Sequence, residues 1–162
     1  MDSNLEIKLV EMLEKAEIRE LIFRYADVLD GKGFTEENIG SVLAEDAELV
    51  YPNGMKAKGF GQIIELSSKM DGLFVSTNHD VSNELIELVS EDKAAANFHF
   101  NVVHKLIPPI VEQSGVDLFT VYDRVNCEVI KDTRGWRFSS VTLETVYSVL
   151  SNSSDGPPIP KA

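Results

Sequence analysis

Between Leu5 and Leu29 apolar side chains return every three or four residues, as Leu9, Leu13, Ile18, Leu21, Ile22, Tyr25 and Leu29, with Glu11, Glu14, Lys15, Glu20 and Arg24 between them. That period predicts one long amphipathic helix. Gly31 and Gly33 end it. Thr35 ahead of Glu36 and Glu37 forms the N-cap and acidic first turn of a short second helix reaching Leu43. Ala47–Tyr51 and Met55–Lys58 read as strands around Pro52-Asn53-Gly54, where Asn-Gly accepts the positive φ of a tight turn. A third helix is expected from Phe60 to Met70.

Beyond Gly72 the period changes to two. Ser76–Val89, Ala94–Ile107, Asp117–Ile130 and Trp136–Leu150 predict four long strands. They are separated by Ser90-Glu91-Asp92-Lys93, by Pro108-Pro109 and by Lys131-Asp132-Thr133-Arg134-Gly135. Helices first and strands after predict an α+β fold, with N-terminal helices packed on the concave face of a mostly antiparallel sheet. Residues 1–150 are expected to form one domain, and the polar, proline-rich residues 151–162 a flexible tail.

A chain of 162 residues, 43% of them apolar, can bury a full core and still enclose a pocket. Lys and Arg number 15 against 27 Asp and Glu, a formal charge of −12 spread along the chain. That balance argues against nucleic acid or an anionic membrane as partner, since both reward clustered cations. The single cysteine, Cys127, cannot close an internal disulfide, and the acidic start Met1-Asp2-Ser3-Asn4 lacks a secretory leader's basic segment. With no run of ~20 apolar residues for a membrane helix, the expected compartment is the cytoplasm.

Candidate chemistry lies where a polar side chain interrupts an apolar face. From Ala94 to Leu106 one strand face carries Ala94, Ala96, Phe98, Phe100, Val102, His104 and Leu106, so His104 points inward and His99 outward. On the next strand Asp123 shares a face with Phe119, Val121, Val125, Cys127 and Val129. An acid and an imidazole aimed into one hollow must be paired or solvated, because an unpaired buried charge costs several kcal/mol. Asp30 follows the last apolar residue of the first helix, where the macrodipole disfavours an anion by roughly 0.3–1 kcal/mol. It is either functional or part of an Asp-Gly turn. His79 lies near a strand start whose two faces both mix polar and apolar residues, compatible with a pocket rim.

Other chemistries fit poorly. His99 and His104 face opposite ways and His79 has no Cys or His at ligand spacing, so no metal site is expected. Gly54, Gly59 and Gly61 lack the spacing and lysine of a phosphate-binding loop, and Gly31 and Gly33 lack the strand that precedes a dinucleotide fingerprint. No cofactor is implied. Cys127, among valines, reads as a small core residue.

Five segments in order carry a family resemblance: Tyr25-Ala26-Asp27-Val28-Leu29-Asp30-Gly31-Lys32, Glu45-Asp46-Ala47-Glu48-Leu49-Val50-Tyr51, Thr77-Asn78-His79, Val103-His104-Lys105 and Gly135-Trp136-Arg137-Phe138. By these the chain resembles the SnoaL-like group of the nuclear-transport-factor-2-like superfamily, nearest in motif to scytalone dehydratase and bile acid 7α-dehydratase. The resemblance implies a cone of curved sheet closed by helices, often dimeric or trimeric. It matches Asp30, Tyr51, His79 and His104 to the pocket residues of the first enzyme, and Tyr25, Asp30 and His79 to those of the second. Four departures stand out. Leu29 replaces a tyrosine, Asp123 falls near a pocket asparagine, and the second enzyme has an aspartate in place of His104. That enzyme's last-strand arginine has no placeable counterpart.

The expected activity is a cofactor-independent lyase or isomerase, a dehydratase by preference, that removes a proton next to a carbonyl in a small apolar polycyclic or aromatic substrate. Imidazole suits the task because its pKa of ~6.5 lets it take and return a proton near neutrality. His79 or His104 is the expected base and the other the acid. Asp30 orients a ring, Tyr25 or Tyr51 donates to the carbonyl oxygen, and Asp123 joins the network or replaces one partner. Phe98, Phe100, Val102, Val121 and Trp136 are the expected wall. The rival expectation is a non-catalytic binding or assembly domain of the same fold, since this fold serves both. Val103, Ile107, Val141 and Leu143 are assigned to the outer sheet face, where such apolar surface implies a homodimer or homotrimer.

Overall fold

The computed structural model describes residues 3–31 and 33–153. Helix α1 runs Ser3–Asp30, α2 Glu36–Gly40, α3 Gly59–Asp71 and α4 Pro108–Ser114. The strands are β1 (Leu43–Val50), β2 (Lys56–Lys58), β3 (Phe74–Leu88), β4 (Lys93–Leu106), β5 (Leu118–Asp132) and β6 (Gly135–Ser151). They form one sheet in the order β2-β1-β6-β5-β4-β3. Every pairing is antiparallel except β1 with β6, which is parallel. This is the expected α+β architecture, an open curved sheet with the N-terminal helices against its hollow side.

Three boundaries differ from expectation, each for a local reason. Thr35 does cap α2, its hydroxyl accepting from the Asn38 N–H at 3.2 Å, but the helix stops at Gly40. Leu43 is instead the first residue of β1, because Val42, Leu43 and Ala44 are all buried by the sheet. The two prolines after β4 begin α4 rather than a plain loop: Pro suits the first helical turn, whose N–H groups lack partners, and Gly115 at φ 75° ends it. β6 continues to Ser151, so the tail expected from that residue begins no earlier than Asn152, and residues 154–162 lie outside the described residues.

The curvature comes from extra residues in the long strands. In β6, Glu128 pairs with Ser140 and Val129 with Phe138, which leaves Ser139 unmatched. Tyr122 pairs with Tyr147 and Asp123 with Thr145, which leaves Val146 unmatched. In β3 the register shifts between Ser82 and Leu85, where Asn83 takes φ 55°, a left-handed conformation that Asn tolerates better than most residues. A bulge bends its strand and reverses which parity faces inward. Trp136 and Phe138 therefore share the inner side with Val141 and Leu143. Both of the latter had been assigned to the outer face by strict alternation, yet Val141 is fully buried and Leu143 packs against the core.

Ile18, Leu21, Ile22, Tyr25 and Ala26 of α1 are buried over the sheet against Phe98, Phe100, Val125 and Phe138. The expected apolar stripe holds only in this second half. Leu9 and Leu13 are exposed, with Leu5, Ile7, Val10 and Met12, because α1 begins outside the hollow and meets the core only from Ile18. Glu14 fixes that entry, accepting from Lys131 Nζ and Trp136 Nε1, each at 2.7 Å. Among the described residues no helix is long and apolar enough to cross a membrane.

The bulge at Ser139 brings the fully buried Val141 inward, so Val141→Asp buries an unpaired carboxylate, and urea unfolding should show a loss of roughly 3 kcal/mol or more. A variant within about 1 kcal/mol of the parent contradicts the inward placement.

Candidate active site

The hollow is incompletely filled. A cavity of about 330 Å³ remains between α1, α3 and the inner faces of β3 to β6, large enough for a small organic molecule. Most of its wall is apolar, from Leu29, Phe34, Phe100, Val102, Phe119, Val121 and Leu143. Into it reach Tyr25, Tyr51, His79, His104 and Asp123, which the chain brings from one helix and four different strands or strand ends.

Asp30 stands behind this wall and acts on it through His79. Its Oδ1 lies 2.6 Å from His79 Nδ1 and accepts from the Thr77 hydroxyl at 2.9 Å, while Oδ2 accepts from the His79 backbone N–H at 2.9 Å. Burial raises the carboxyl's pKa, but the His79 ring and backbone donors, the imidazole's charge and the Thr77 hydroxyl together outweigh it and hold the group below its usual value. An ionised carboxylate at Nδ1 places the ring proton there and leaves the lone pair on Nε2. These three donors also account for an anion at a helix C-terminus with no basic residue in its last turn.

The His104 ring lies 6.2 Å from that of His79, at 77°. It sits between Phe74 and Phe119, with ring centroids at 4.3 and 5.5 Å. Its Nδ1 is 3.0 Å from the Phe119 carbonyl oxygen, and since a carbonyl only accepts, Nδ1 carries the proton. Burial lowers the pKa of His104, and this outweighs the raising effect of the Phe119 bond. The neutral ring is thus favoured, with Nε2 as an acceptor.

Asp123 is only 6% exposed. Burial raises its carboxyl pKa against the opposing effects of the Thr145 hydroxyl, which donates at 2.7 Å, and of His79. Both tyrosines are held as neutral phenols by burial, Tyr25 most strongly. The Tyr51 and Ser67 oxygens lie 3.4 Å apart. Tyr25 packs on Phe138 and Phe100, with ring centroids at 5.4 and 6.2 Å.

Of the residues expected at the site, Tyr25, Tyr51, His79, His104, Asp123, Phe100, Val102 and Val121 meet at this one cavity. Phe98 and Trp136 do not reach it. Phe98 is buried in the core beyond Phe100, and Trp136 is tied to Glu14 at the far end of the sheet. His99 points outward, 2.8 Å from the Tyr122 hydroxyl. Cys127 is buried and its thiol pKa pushed far up by desolvation, as suits an inert core residue. Among the described residues no cluster of three His, Cys, Asp or Glu could hold a metal ion.

Sequence reasoning missed Thr77 and Thr145. Thr77 was available, since two residues before His79 on a strand is the same face. Thr145 was hidden by the bulges in β6, which shift its parity.

The sequence matches the SnoaL-like domain over residues 10–142. The chain belongs to this SnoaL-like family. Among solved structures, the Kfla4162 protein from Kribbella flavida is 27% identical, with 86% of this chain and 95% of that one covered at a TM-score of 0.78. A proposed scytalone dehydratase from Novosphingobium aromaticivorans is 24% identical, covering 98% and 99% at a TM-score of 0.74. The hexachlorocyclohexane dehydrochlorinase LinA-type3 from Novosphingobium barchaimii is 18% identical, covering 94% and 99% at 0.78. No curated protein matched the chain. The last two likenesses show that the chain shares their fold and no more.

His104 sets a pH dependence for this SnoaL-like domain. Because the folded pKa of His104 is lowered, the unfolded chain binds its proton first as pH falls, so stability is lost progressively below the unfolded value of ~6.5. His104→Asn removes that contribution. Urea unfolding at about pH 7.5 and about pH 5 should show a smaller acid-side loss in the variant than in the parent, and equal losses refute the assignment.

Proposed function

We propose that this chain is a cofactor-independent lyase or isomerase, by preference a dehydratase, that removes a proton adjacent to the carbonyl of a small apolar cyclic or aromatic substrate. The observation that carries this is the Asp30–His79 pair at 2.6 Å on the wall of a largely apolar cavity. A carboxylate bonded to Nδ1 leaves Nε2 as the basic atom and stabilises the imidazolium formed when it takes a proton. This favours His79 as base over His104, whose Nδ1 faces a neutral carbonyl and whose charged form is opposed by burial.

As the α-proton leaves, negative charge grows on the substrate's carbonyl oxygen. Tyr25 and Tyr51, held protonated by burial, are the donors placed to receive it. His104 accepts a hydrogen bond from a substrate hydroxyl and orients it. Phe100, Val102 and Val121 exclude water from the reacting carbon, which strengthens each of these interactions. The names of two structural relatives, a proposed scytalone dehydratase and a dehydrochlorinase, are those of eliminating enzymes and agree with this reading.

Asp30→Asn keeps the shape of the pair and removes its charge. Turnover of a dehydratable hydroxy-ketone should fall by about 10²–10⁴ in Asp30→Asn and in His79→Ala, with thermal unfolding close to the parent in the first. Activity within about threefold of the parent in both variants would remove the catalytic reading.

The reducing cytoplasm is the proposed compartment. The proposed assembly is a homodimer or homotrimer through the outer face, where Tyr147 and Val149 are about half exposed beside Val103 and Tyr122 and Tyr147 stack at 5.4 Å. Size-exclusion with light scattering should report the mass of two or three chains, and a monomer contradicts it.

A further inference from the structure

A base alone does not complete an elimination, and the cavity holds a buried acidic group that the base does not use. Asp123 enters from β5 with its Oδ1 engaged by Thr145, which leaves Oδ2 to carry a proton. Strand register fixes its place relative to the base. Val81, Phe100, Asp123 and Thr145 form one row across the inner face, and His79, Val102, Val121 and Ser148 the next. Asp123 is therefore two strands across and one row along from His79, about 10 Å by about 7 Å at the usual strand and residue spacings. Both side chains reach into the cavity over Val102 and Val121, so their reactive atoms lie closer together than their backbones and address the adjacent α- and β-carbons of one substrate.

The charge of the wall narrows what can lie there. Among the described residues that line the cavity none is Lys or Arg, whereas Asp71 and Asp123 both reach it. A bound carboxylate or phosphate meets carboxyl groups and no cation, on a chain whose net charge is already −12. A leaving group that departs as an anion meets the same surroundings. A hydroxyl departs readily only as water, which requires a proton donor. His104 is poorly suited to give one, because its N–H is held by the Phe119 carbonyl and its charged form is opposed by burial.

We propose that the cavity takes an uncharged β-hydroxy ketone and that Asp123 is the acid that protonates its departing hydroxyl, a role that rests on His79 being the base. His79 Nε2 takes the α-proton, and the C–H electron pair moves into a carbon–carbon double bond of the enolate, whose charge lies on oxygen. Collapse of the enolate re-forms the carbonyl, creates the α,β double bond and breaks the C–O bond. The departing oxygen takes the Asp123 proton and leaves as water. His79 ends protonated and Asp123 ionised, and one proton passed between them through the released water restores both.

The test uses two probes with the purified full chain. The first, 4-hydroxy-4-phenylbutan-2-one, must lose water, whereas the second, 4-(4-nitrophenoxy)butan-2-one, releases a nitrophenolate that needs no proton. Exchange of the α-hydrogens in D₂O reports the base alone. Asp123→Asn should slow dehydration by about 100-fold or more and leave nitrophenolate release and α-exchange within about threefold of the parent. Equal slowing of both eliminations, or of neither, overturns the acid role while α-exchange that is lost in His79→Ala keeps the base. No α-exchange in the parent overturns the base and this proposal with it. Thr145→Val serves should Asp123→Asn fold poorly. Removing a donor that favours the carboxylate should move the alkaline limit of dehydration to higher pH, and an unmoved limit overturns the proposal. The anionic probe 4-(1-hydroxy-3-oxobutyl)benzoate should react with a kcat/KM about 10-fold or more below that of its methyl ester, and parity overturns the exclusion of anions.

Discussion

A carboxylate at the C-terminal end of α1 joins the helix layer to the β3 edge of the sheet. Asp30 sits where the helix dipole opposes its charge, and the opposition is met by three donors from β3. The same contacts fix the rotation of the His79 ring and its tautomer. Helix position, strand position and ring orientation are thus one constraint. A change that displaces α1 over the sheet therefore moves the His79 ring with it.

The remainder of the cavity is built from departures from regular strand geometry. Bulges at Asn83, Ser139 and Val146 bend β3 and β6 and let residues of either parity face the hollow. Uninterrupted alternation from Phe138 would put Leu143 and Thr145 outside, and the Ser139 bulge brings both to the wall. Curvature also explains why the hollow is not filled. The helices bury one end against Phe98, Val125 and Phe138, and the sheet curves away from them at the other.

Three titratable groups of the site are set by environment. Asp30 is held ionised by donors, Asp123 is biased toward its protonated form by burial, and His104 toward neutrality by the same cause. The two carboxyl groups, which share a reference pKa, are thereby pushed apart. Among the described residues that line the cavity none is Lys or Arg, so these protonation states set its charge.

Much of this was present in the order of residues. Periods of 3.6 and 2 set the helices and long strands, and a polar side chain on an apolar face marked His104 and Asp123, because an unpaired charge there is too costly to be incidental. Asp30 was marked by the wrong sign at a helix end. His79 could not be assigned a face, since its strand changes phase at Asn83, and the same effect in β6 sent Val141 and Leu143 to the wrong side. Leu9 and Leu13 continue the helical period but touch no core, because period records which side of a helix is apolar and not where the sheet ends. Local sequence therefore determined the elements and the unusual residues within them. Only the tertiary structure decided which of those residues meet, because bulge position and helix overhang depend on the pairing of strands distant along the chain.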